Sequence, residues 1–226
     1  MDKPVCVVIG IGPKNGRAFA TRFANEGYAV ALLSRSTDYS KKLAEELGGN
    51  AYACDVTDPE AIERAFEQVR GDLGDVDVLL YNAGSGQFGT FDEVPDEAFE
   101  KGWQINVRGL LQSTRQVVGP MRKKGTGAIV ITGATASLRG KPFTSAFAQA
   151  KAAQRSLAQS FARQLGPEGI HVALVIVDGM IGTDEQPDAE KALRPSDIAE
   201  TVYHLATQPK SAWTFETDVR PFSENW

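Results

Sequence analysis

The sequence predicts an α/β protein in which one parallel sheet is covered by helices on both faces. Short apolar runs alternate with helix-like segments along the chain, and several of these runs are apolar at every position. Continuous apolar runs are typical of strands buried on both faces, and strict alternation of strand and helix is typical of a doubly wound sheet. We therefore expect a single α/β domain over residues 1–226.

Six strands are predicted from the apolar runs. They cover residues 5–9, 29–33, 51–54, 76–80, 128–132 and 171–177, and residues 213–219 are compatible with a last strand. The loops that follow parallel strands meet at one edge of a sheet, and ligands of such sheets bind there.

Helices are predicted between the strands from apolar periodicity and capping residues. Pro13 lies near the first turn of a helix that ends before Gly27, and two glycines at 48–49 close a helix over 38–47. Asp58 and Pro59 are a favourable N-cap and first-turn pair for a helix that runs to about residue 69. Further helices are predicted over 96–119, with an interruption near Gly102, over 145–165 and over 195–206.

Composition excludes several classes of protein. Of the 226 residues, 42% are hydrophobic and 23% charged, as in ordinary soluble proteins, and the net charge of -5 with no basic stripe argues against a nucleic-acid partner. No apolar run is long enough to cross a membrane or flanked like a secretory signal, so we expect a cytoplasmic protein. Cys6 and Cys54 are interpreted as buried thiols, and the two histidines lack metal-ligand spacing, so no metal is expected.

The turn after the first strand is rich in glycine. It reads Gly10-Ile11-Gly12-Pro13-Lys14-Asn15-Gly16 and leads into the first helix. Glycines at this place let the backbone approach a pyrophosphate, which the N–H groups of the helix N-terminus can bind. The alternative is a tight turn without a ligand.

The end of the second strand favours NADP(H) over NAD(H). Dinucleotide-binding domains often place an acid here to bind the adenosine ribose, but this sequence has Ser34 followed by Arg35. Arg35, with Lys14 in the facing turn, would attract a 2′-phosphate that an acid would repel. The alternative is that both are solvated surface charges.

These features, in this order, resemble the short-chain dehydrogenase/reductase family, whose domain is a Rossmann-type doubly wound sheet. The matching positions span nearly the whole chain and are the glycine turn, Asp55-Val56, Asn82-Ala83-Gly84, Asn106, Lys151, Gly179 and Thr183. The resemblance implies a nicotinamide cofactor, a small-molecule substrate and a homodimer or homotetramer.

The resemblance also implies a role for each position. Asp55 and Val56 would border the adenine, residues 82–84 would lie beneath the cofactor ribose, and Gly179 and Thr183 would lie near the nicotinamide. Lys151 would bind the ribose, and Asn106 would hold a water for proton relay. The alternatives are a turn or N-cap aspartate at Asp55, a plain turn at 82–84 and a surface ion pair at Lys151.

The sequence departs from the family where the proton is handled. Ala134 stands where the family has the serine that orients the substrate carbonyl, and Phe147, four residues before Lys151, stands where it has the tyrosine acid. Ser137 and Ser145 are candidate substitutes, although serine hydroxyls are poor acids unless a neighbour activates them. Asp178 replaces the proline of a Pro-Gly pair, and residues 180–194 form a short, polar segment where the family has its substrate lid.

Two functions remain open from the sequence. The first is an NADP(H)-dependent oxidoreductase that acts on an unknown small carbonyl or conjugated C=C compound without the usual tyrosine. The second is a catalytically silent NADP(H)-binding sensor or subunit. A conjugated C=C acceptor suits the first function better than a ketone, because solvent can protonate its carbanion.

Overall fold

A computed structural model describes residues 3–185 and 192–224, and its sheet follows the predicted order of elements. The first half of the chain contains β1 (Val5–Ile9), α1 (Asn15–Asn25), β2 (Ala29–Ser34), α2 (Thr37–Leu47), β3 (Asn50–Ala53), α3 (Pro59–Asp72), β4 (Val76–Tyr81), α4 (Asp96–Trp103) and α5 (Gly109–Lys124). The second half contains β5 (Gly127–Ala134), α6 (Ser145–Leu165), β6 (Ile170–Val177), β7 (Met180–Ile181), β8 (Ala192–Leu193), α7 (Pro195–Ala206) and β9 (Glu216–Val219).

Seven of the strands form one sheet in the order β3-β2-β1-β4-β5-β6-β9, and every pairing in it is parallel. The chain first builds outward from β1 to β3 and then restarts on the other side at β4. The strand order therefore reverses between β1 and β4, and a crevice opens at their carboxyl ends, where sheets of this kind bind ligands.

Helices cover both faces of the sheet, as predicted. Along β1, Val5, Val7 and Ile9 belong to one apolar cluster with residues of α3, α5 and α6, while Cys6 and Val8 belong to another with residues of α1, α2 and α7. This alternation explains why the strand sequence is apolar at every position.

Local signals placed most helix ends correctly. The Asp58 side chain accepts a hydrogen bond of 2.9 Å from the N–H of Glu60, with Pro59 in the first turn of α3. Gly48 ends α2 in the left-handed conformation, with φ of 63°. The third strand begins and ends one residue earlier than predicted, and the last covers only Glu216–Val219.

The predicted helix over 96–119 ends too early, and its predicted interruption near Gly102 takes a form that the sequence did not specify. The interruption near Gly102 is a π-helical turn, Gln104–Arg108, because the Asn106 side chain donates to the carbonyl of Gly102, four residues earlier. Beyond residue 119 the helix continues through Pro120 to Lys124. The missing N–H of Pro120 frees the carbonyl of Gln116, which lies 3.4 Å from a guanidinium nitrogen of Arg70.

The structure also describes the two cysteines, one buried histidine and the apolar content of the helices. Cys6 and Cys54 are free, buried thiols, as predicted. His171 lies in β6, stacks on Trp213 and uses both ring nitrogens for backbone contacts, as expected for a structural histidine. Over residues 3–185 and 192–224, no helix is long and apolar enough to cross a membrane.

Candidate functional site

Two neighbouring cavities open at the carboxyl edge of the sheet. The larger, of about 620 Å³, lies at the ends of β4, β5 and β6 and is lined by residues that include Asn15, Asn82, Gly84, Ala134, Thr135, Phe147, Lys151, Asp178 and Gly179. The smaller, of about 260 Å³, lies at the ends of β1, β2 and β3 and is lined by residues that include Gly10, Gly12, Ser34, Arg35, Asp55, Val56, Asn82, Ala83 and Gly84. Most sequence-predicted site residues therefore lie around one crevice.

The glycine turn lies against the end of β4. Gly10 has φ of 93°, and a Cβ on it would lie 2.5 Å from the backbone nitrogen of Ala83. A Cβ on Gly16 would likewise lie 2.6 Å from the carbonyl oxygen of Gly10. At Gly12, in contrast, a Cβ would meet nothing within 4 Å, so this glycine borders open space. Only glycine permits the first two approaches, and the third leaves room for a ligand.

Asn82 connects the ends of three strands. Its Nδ2 donates to the carbonyl of Gly10 over 2.8 Å, and its Oδ1 accepts from the Thr132 hydroxyl over 3.1 Å. These bonds join β4 to the turn after β1 and to β5. The floor of the crevice is therefore fixed by side-chain hydrogen bonds as well as by the sheet.

Lys14 and Asn15, at the start of α1, differ in whether they reach a cavity. Lys14 lines neither cavity, and its ammonium donates to the carbonyl of Ile181 in β7. Asn15 is buried and lines the larger cavity, and its Oδ1 has no hydrogen-bond partner among the described residues. An unsatisfied buried oxygen at a cavity wall is a binding position for a donor.

The end of β2 presents one exposed cation to the smaller cavity. Ser34 Oγ lies 2.8 Å from the carbonyl of Ser36, while Arg35 is exposed. Asp55 accepts bonds from the N–H and hydroxyl of Thr57 at 2.9 and 2.8 Å. Burial raises the pKa of Asp55, but these bonds and the charge of Arg35 outweigh it, so the pKa falls below its usual value.

Lys151 is the most deeply buried cation at the site. It is 5% exposed, and its ammonium donates to the carbonyl of Thr132 over 2.9 Å and to Oε1 of Gln154 over 3.0 Å. Burial lowers the pKa of Lys151 to about 8. An ammonium has three N–H groups, so one remains for a ligand.

Gln154 extends this network to the π-helical turn. Its Nε2 donates to the Asn106 carbonyl over 3.1 Å, and Asn106 Nδ2 donates to Ser85 O over 2.7 Å. The Oδ1 of Asn106 is buried without a partner among the described residues. A Cβ on Gly84 would lie 3.2 Å from Lys151 Nζ and 3.4 Å from Asn106 Oδ1. Gly84 thus lies between the crevice and the Oδ1 of Asn106, with no side chain of its own, and Lys151 lines the larger cavity directly.

A family model described as short chain dehydrogenase matches residues 4–194, well over half of the chain. The chain belongs to the short-chain dehydrogenase family. This membership agrees with the parallel sheet and with the glycine turn at the reversal of strand order.

Individual relatives of this short-chain dehydrogenase support the assignment over the full length. An uncharacterized oxidoreductase of Staphylococcus saprophyticus is 27% identical, with 98% of each chain covered. A short-chain dehydrogenase structure from Rhodopseudomonas palustris is 32% identical with a TM-score of 0.85, covering 97% of this chain and 99% of its own.

Two further solved structures hold a nucleotide. An alcohol dehydrogenase from the archaeon Thermococcus sibiricus, complexed with 5-hydroxy-NADP, is 27% identical with a TM-score of 0.90 and 99% coverage of both chains. A metagenomic short-chain oxidoreductase in complex with NADP is 27% identical with a TM-score of 0.85 and 97% coverage of both chains.

The residues of this short-chain dehydrogenase fit a nicotinamide nucleotide. The close approach at Gly10, the open space at Gly12 and the unpartnered oxygen of Asn15 lie at the crevice, and the unpartnered oxygen of Asn106 lies behind Gly84. Lys151 has a free N–H that can donate a hydrogen bond to a ribose hydroxyl. Donors and acceptors are therefore present where a nucleotide bound at the strand ends needs them.

The sequence-predicted residues that line neither cavity are Lys14, Gly16, Asn106, Ser137, Ser145 and Thr183. Gly16 packs against the turn itself, and Thr183 follows β7. Ser137 Oγ is buried without a partner among the described residues, and Ser145 Oγ lies 3.5 Å from the carbonyl of Gly89. Part of the short segment over 180–194 falls outside the described residues.

Phe147 and Ala134 line the larger cavity. The Phe147 ring covers Gly86, where a Cβ would lie 2.3 Å from the ring, and it lies 5.4 Å from the ring of Phe88. The Lys151 ammonium is 5.9 Å from the centre of the Phe147 ring. The wall beside Lys151 is thus aromatic and carries no hydroxyl at residue 147.

Sequence reasoning missed a polar pair on the opposite wall. The Thr135 hydroxyl donates to a carboxylate oxygen of Asp178 over 2.6 Å, and Asp178 is only 6% exposed. Arg139 and Arg220 approach the same carboxylate at 3.7 and 3.4 Å. The unusual aspartate after β6 is therefore a buried anion held between two guanidinium groups, and only the fold brings its partners together.

Proposed function

We propose that this short-chain dehydrogenase is an NADP(H)-dependent oxidoreductase that reduces a small carbonyl or conjugated C=C compound without the tyrosine acid of its family. The observation that carries the proposal is the buried network of Lys151, Gln154 and Asn106, which opens at Gly84 beside the glycine turn. A buried ammonium is costly unless it has partners, and this one keeps a free donor at a cavity.

The nicotinamide supplies a hydride when it is bound. Lys151 would donate its remaining N–H to a ribose hydroxyl, and the Oδ1 of Asn106 would hold a water or a hydroxyl of the ligand. Gly10 and Gly12 would let the pyrophosphate approach the backbone. Asp55 and Val56 would border the adenine, and Gly179 and Thr183 would lie on the nicotinamide side. In these roles the residues of the chain only bind the nucleotide and orient it.

The proton would come from solvent. Ala134 and Phe147 offer no acidic hydrogen at the positions that resemble the serine and tyrosine of the family, so this chain would be an atypical member. Hydride addition to a conjugated C=C bond gives a carbanion that water can protonate, whereas a simple ketone needs an acid within hydrogen-bond reach. Conjugated acceptors are therefore the preferred class.

A preference for NADP(H) is supported by Arg35, which is exposed at the smaller cavity with no acid at Ser34. Lys14 supports it less, since its ammonium is bonded to Ile181. The Arg35→Asp variant is expected to weaken NADPH binding at least tenfold and to change NADH binding little. Equal effects on both nucleotides would contradict the preference.

The proposal also covers domain organisation, cellular location and oligomeric state. We expect residues 1–226 to act as one dinucleotide-binding domain in the cytoplasm. The resemblance to the family favours a homodimer or homotetramer.

A second candidate is a silent NADP(H)-binding sensor or subunit, which Ala134 and Phe147 favour. Fluorescence titration of the purified protein with NADPH and NADH, followed by a panel of enones and ketones on the same sample, separates the two. Binding with enone-dependent NADPH oxidation supports the oxidoreductase. Binding without turnover, together with activity gained in an Ala134→Ser/Phe147→Tyr variant, would favour the silent protein.

A further inference from the structure

The larger cavity has an aromatic wall built by two loops. The loop after β4 and the loop before α6 are joined where the N–H of Gly89 donates to the carbonyl of Phe143 over 2.8 Å. Phe88, Phe143 and Phe147 line the cavity from these loops. Phe88 is 60% and Phe143 is 52% exposed. Large apolar side chains clustered at the mouth of a cavity indicate a ligand with an apolar body.

Among the described residues that line the same cavity, the charged ones are three cations and two anions. Its charged lining residues, within the part of the chain that the structure describes, are Arg139, Lys141, Lys151, Asp178 and Glu224. Asp178 also pairs with Arg220, whose side chain lies outside this lining. Glu224 lies on the Gly179 side, where its Oε2 would be 3.3 Å from a Cβ on that glycine. Because Lys151 is assigned to the cofactor, Arg139 and Lys141 are the cations left for a substrate.

Arg139 has an ion-pair partner but keeps free hydrogen-bond donors. Its guanidinium is 44% exposed and lies 3.7 Å from the carboxylate of Asp178, which is shared with Arg220 at 3.4 Å. Arg220 also pairs with Asp218, so the two guanidinium groups face two carboxylates. The contact of Arg139 with Asp178 is nevertheless too long for a hydrogen bond, so the N–H donors of its guanidinium remain available to a ligand. Lys141 is exposed, and none of the ion pairs among described residues involves it. An anion in the cavity would accept hydrogen bonds from Arg139 and pair with Lys141.

We infer that the substrate of this site carries a carboxylate on an apolar, ring-sized body, with the ring against Phe88, Phe143 and Phe147 and the carboxylate bound by Arg139 and Lys141. The inference rests on the proposed function, because it assumes that the reacting group points toward Lys151. Asp178 acts as a positioning residue that holds Arg139 at the wall.

The test compares two probes of equal size. One is 4-phenylbut-3-en-2-one with a carboxylate on the ring, and the other carries a neutral carboxamide at the same place. Calorimetric titration into the full chain, with and without saturating NADP⁺, measures binding independently of turnover. We expect the carboxylate to bind about tenfold more tightly than the carboxamide, as for a charge-assisted pair that is partly exposed.

Arg139→Gln should remove most of this preference, and Arg139→Gln/Lys141→Gln should remove all of it, because carboxylate binding is weakened much more than carboxamide binding. Arg163→Gln, an exposed arginine on α6 outside the cavity lining, is the matched control and should keep the tenfold difference. Thermal unfolding shows that each variant is folded.

Equal affinity for the two probes in the wild-type protein would overturn the inference, as would a preference that survives the double substitution. Either result leaves the proposed function standing if NADPH still binds and is oxidised with the carboxamide probe. Failure to bind NADPH, in contrast, would contradict the proposed function regardless of how the two probes bind.

Discussion

The two sides of the crevice are built in different ways. The strand-end side, made of Gly10, Asn82, Gly84 and Lys151, consists of residues at or near strand ends and a buried helix side chain. Asn82 bonds to Gly10, and Lys151 bonds to Thr132 and Gln154, over 2.8 to 3.0 Å. A Cβ on Gly10 would overlap the neighbouring backbone. Because its parts also belong to the core, a change on this side affects folding and ligand binding together.

The loop side, made of Phe88, Arg139 and Phe143, consists of exposed side chains on two loops. Its aromatic residues are half-exposed or more, and its cation is 44% exposed. Few buried contacts depend on these residues, so they are free to vary with the ligand. The residues of the strand-end side are therefore constrained by the fold, whereas those of the loop side are constrained mainly by the ligand that they contact.

The largest effect is expected from Gly10→Ala. The new Cβ would lie 2.5 Å from the backbone nitrogen of Ala83, at a φ of 93° that disfavours alanine. We expect a loss of roughly 3 to 5 kcal/mol in the free energy of unfolding, measured by urea denaturation, and no detectable nucleotide binding. Gly12→Ala, whose Cβ meets nothing within 4 Å, is the control and should lower nucleotide affinity with stability nearly unchanged.

Lys151 gives the next largest effect, through pH. Its folded pKa of about 8 lies below its value of about 10.4 in an unfolded chain. Between these values the unfolded chain holds a proton that the folded chain has released, so the contribution of Lys151 to stability rises with pH. We expect wild type to gain about 3 kcal/mol relative to Lys151→Met from pH 7.5 to 10.5.

The comparison between the two proteins isolates Lys151, since other titrating groups such as the buried thiol of Cys6 are common to both. Lys123→Met, at an exposed position of α5, should follow wild type at every pH. A Lys151→Met protein that shows the wild-type pH dependence would mean that the ammonium is not desolvated.

Much of the strand-end side could be predicted from the sequence because its signals are local. Apolar runs, the glycine turn and the Asp58-Pro59 cap each depend on neighbouring residues, and the alternation of strands and helices along the chain predicts a parallel sheet. The continuation of α5 through Pro120 could not be predicted, because the carbonyl that proline leaves free is satisfied by Arg70, 46 positions away.

The contacts of the site were predictable only in part for the same reason. Gln154 lies three residues after Lys151, which places the two on one helix face, and that spacing was the available signal. The pairing of Thr135 with Asp178 joins residues 43 positions apart, and the bond from Lys14 to Ile181 spans 167. No local pattern encodes contacts of that kind.

Gly86→Ala tests the boundary between the two sides. Its Cβ would lie 2.6 Å from Cβ of Phe147 and 2.8 Å from Cγ, so the ring must move. We expect a loss of about 2 kcal/mol in the free energy of unfolding, typical of overpacking, and weaker binding of the aromatic probes. Phe147→Ala removes the obstacle, so the double variant should lose less than the sum of the two single changes. Strict additivity would show that the ring and Gly86 are not in contact.

The smallest effect on stability, and the clearest separation of the two sides, is expected on the loop side. Phe143→Ser changes a side chain that is 52% exposed and lines the larger cavity, while Phe222→Ser changes one that is 83% exposed and does not line it. Both should alter the free energy of unfolding by about 0.5 kcal/mol or less, because little buried area is lost. Calorimetry with the carboxamide probe should show weaker binding for Phe143→Ser alone. An equal loss of probe affinity in both variants would mean that exposed apolar area, rather than this wall, binds the ring. The affinity for NADPH should stay at the wild-type value in either variant, because neither residue contacts the strand-end side.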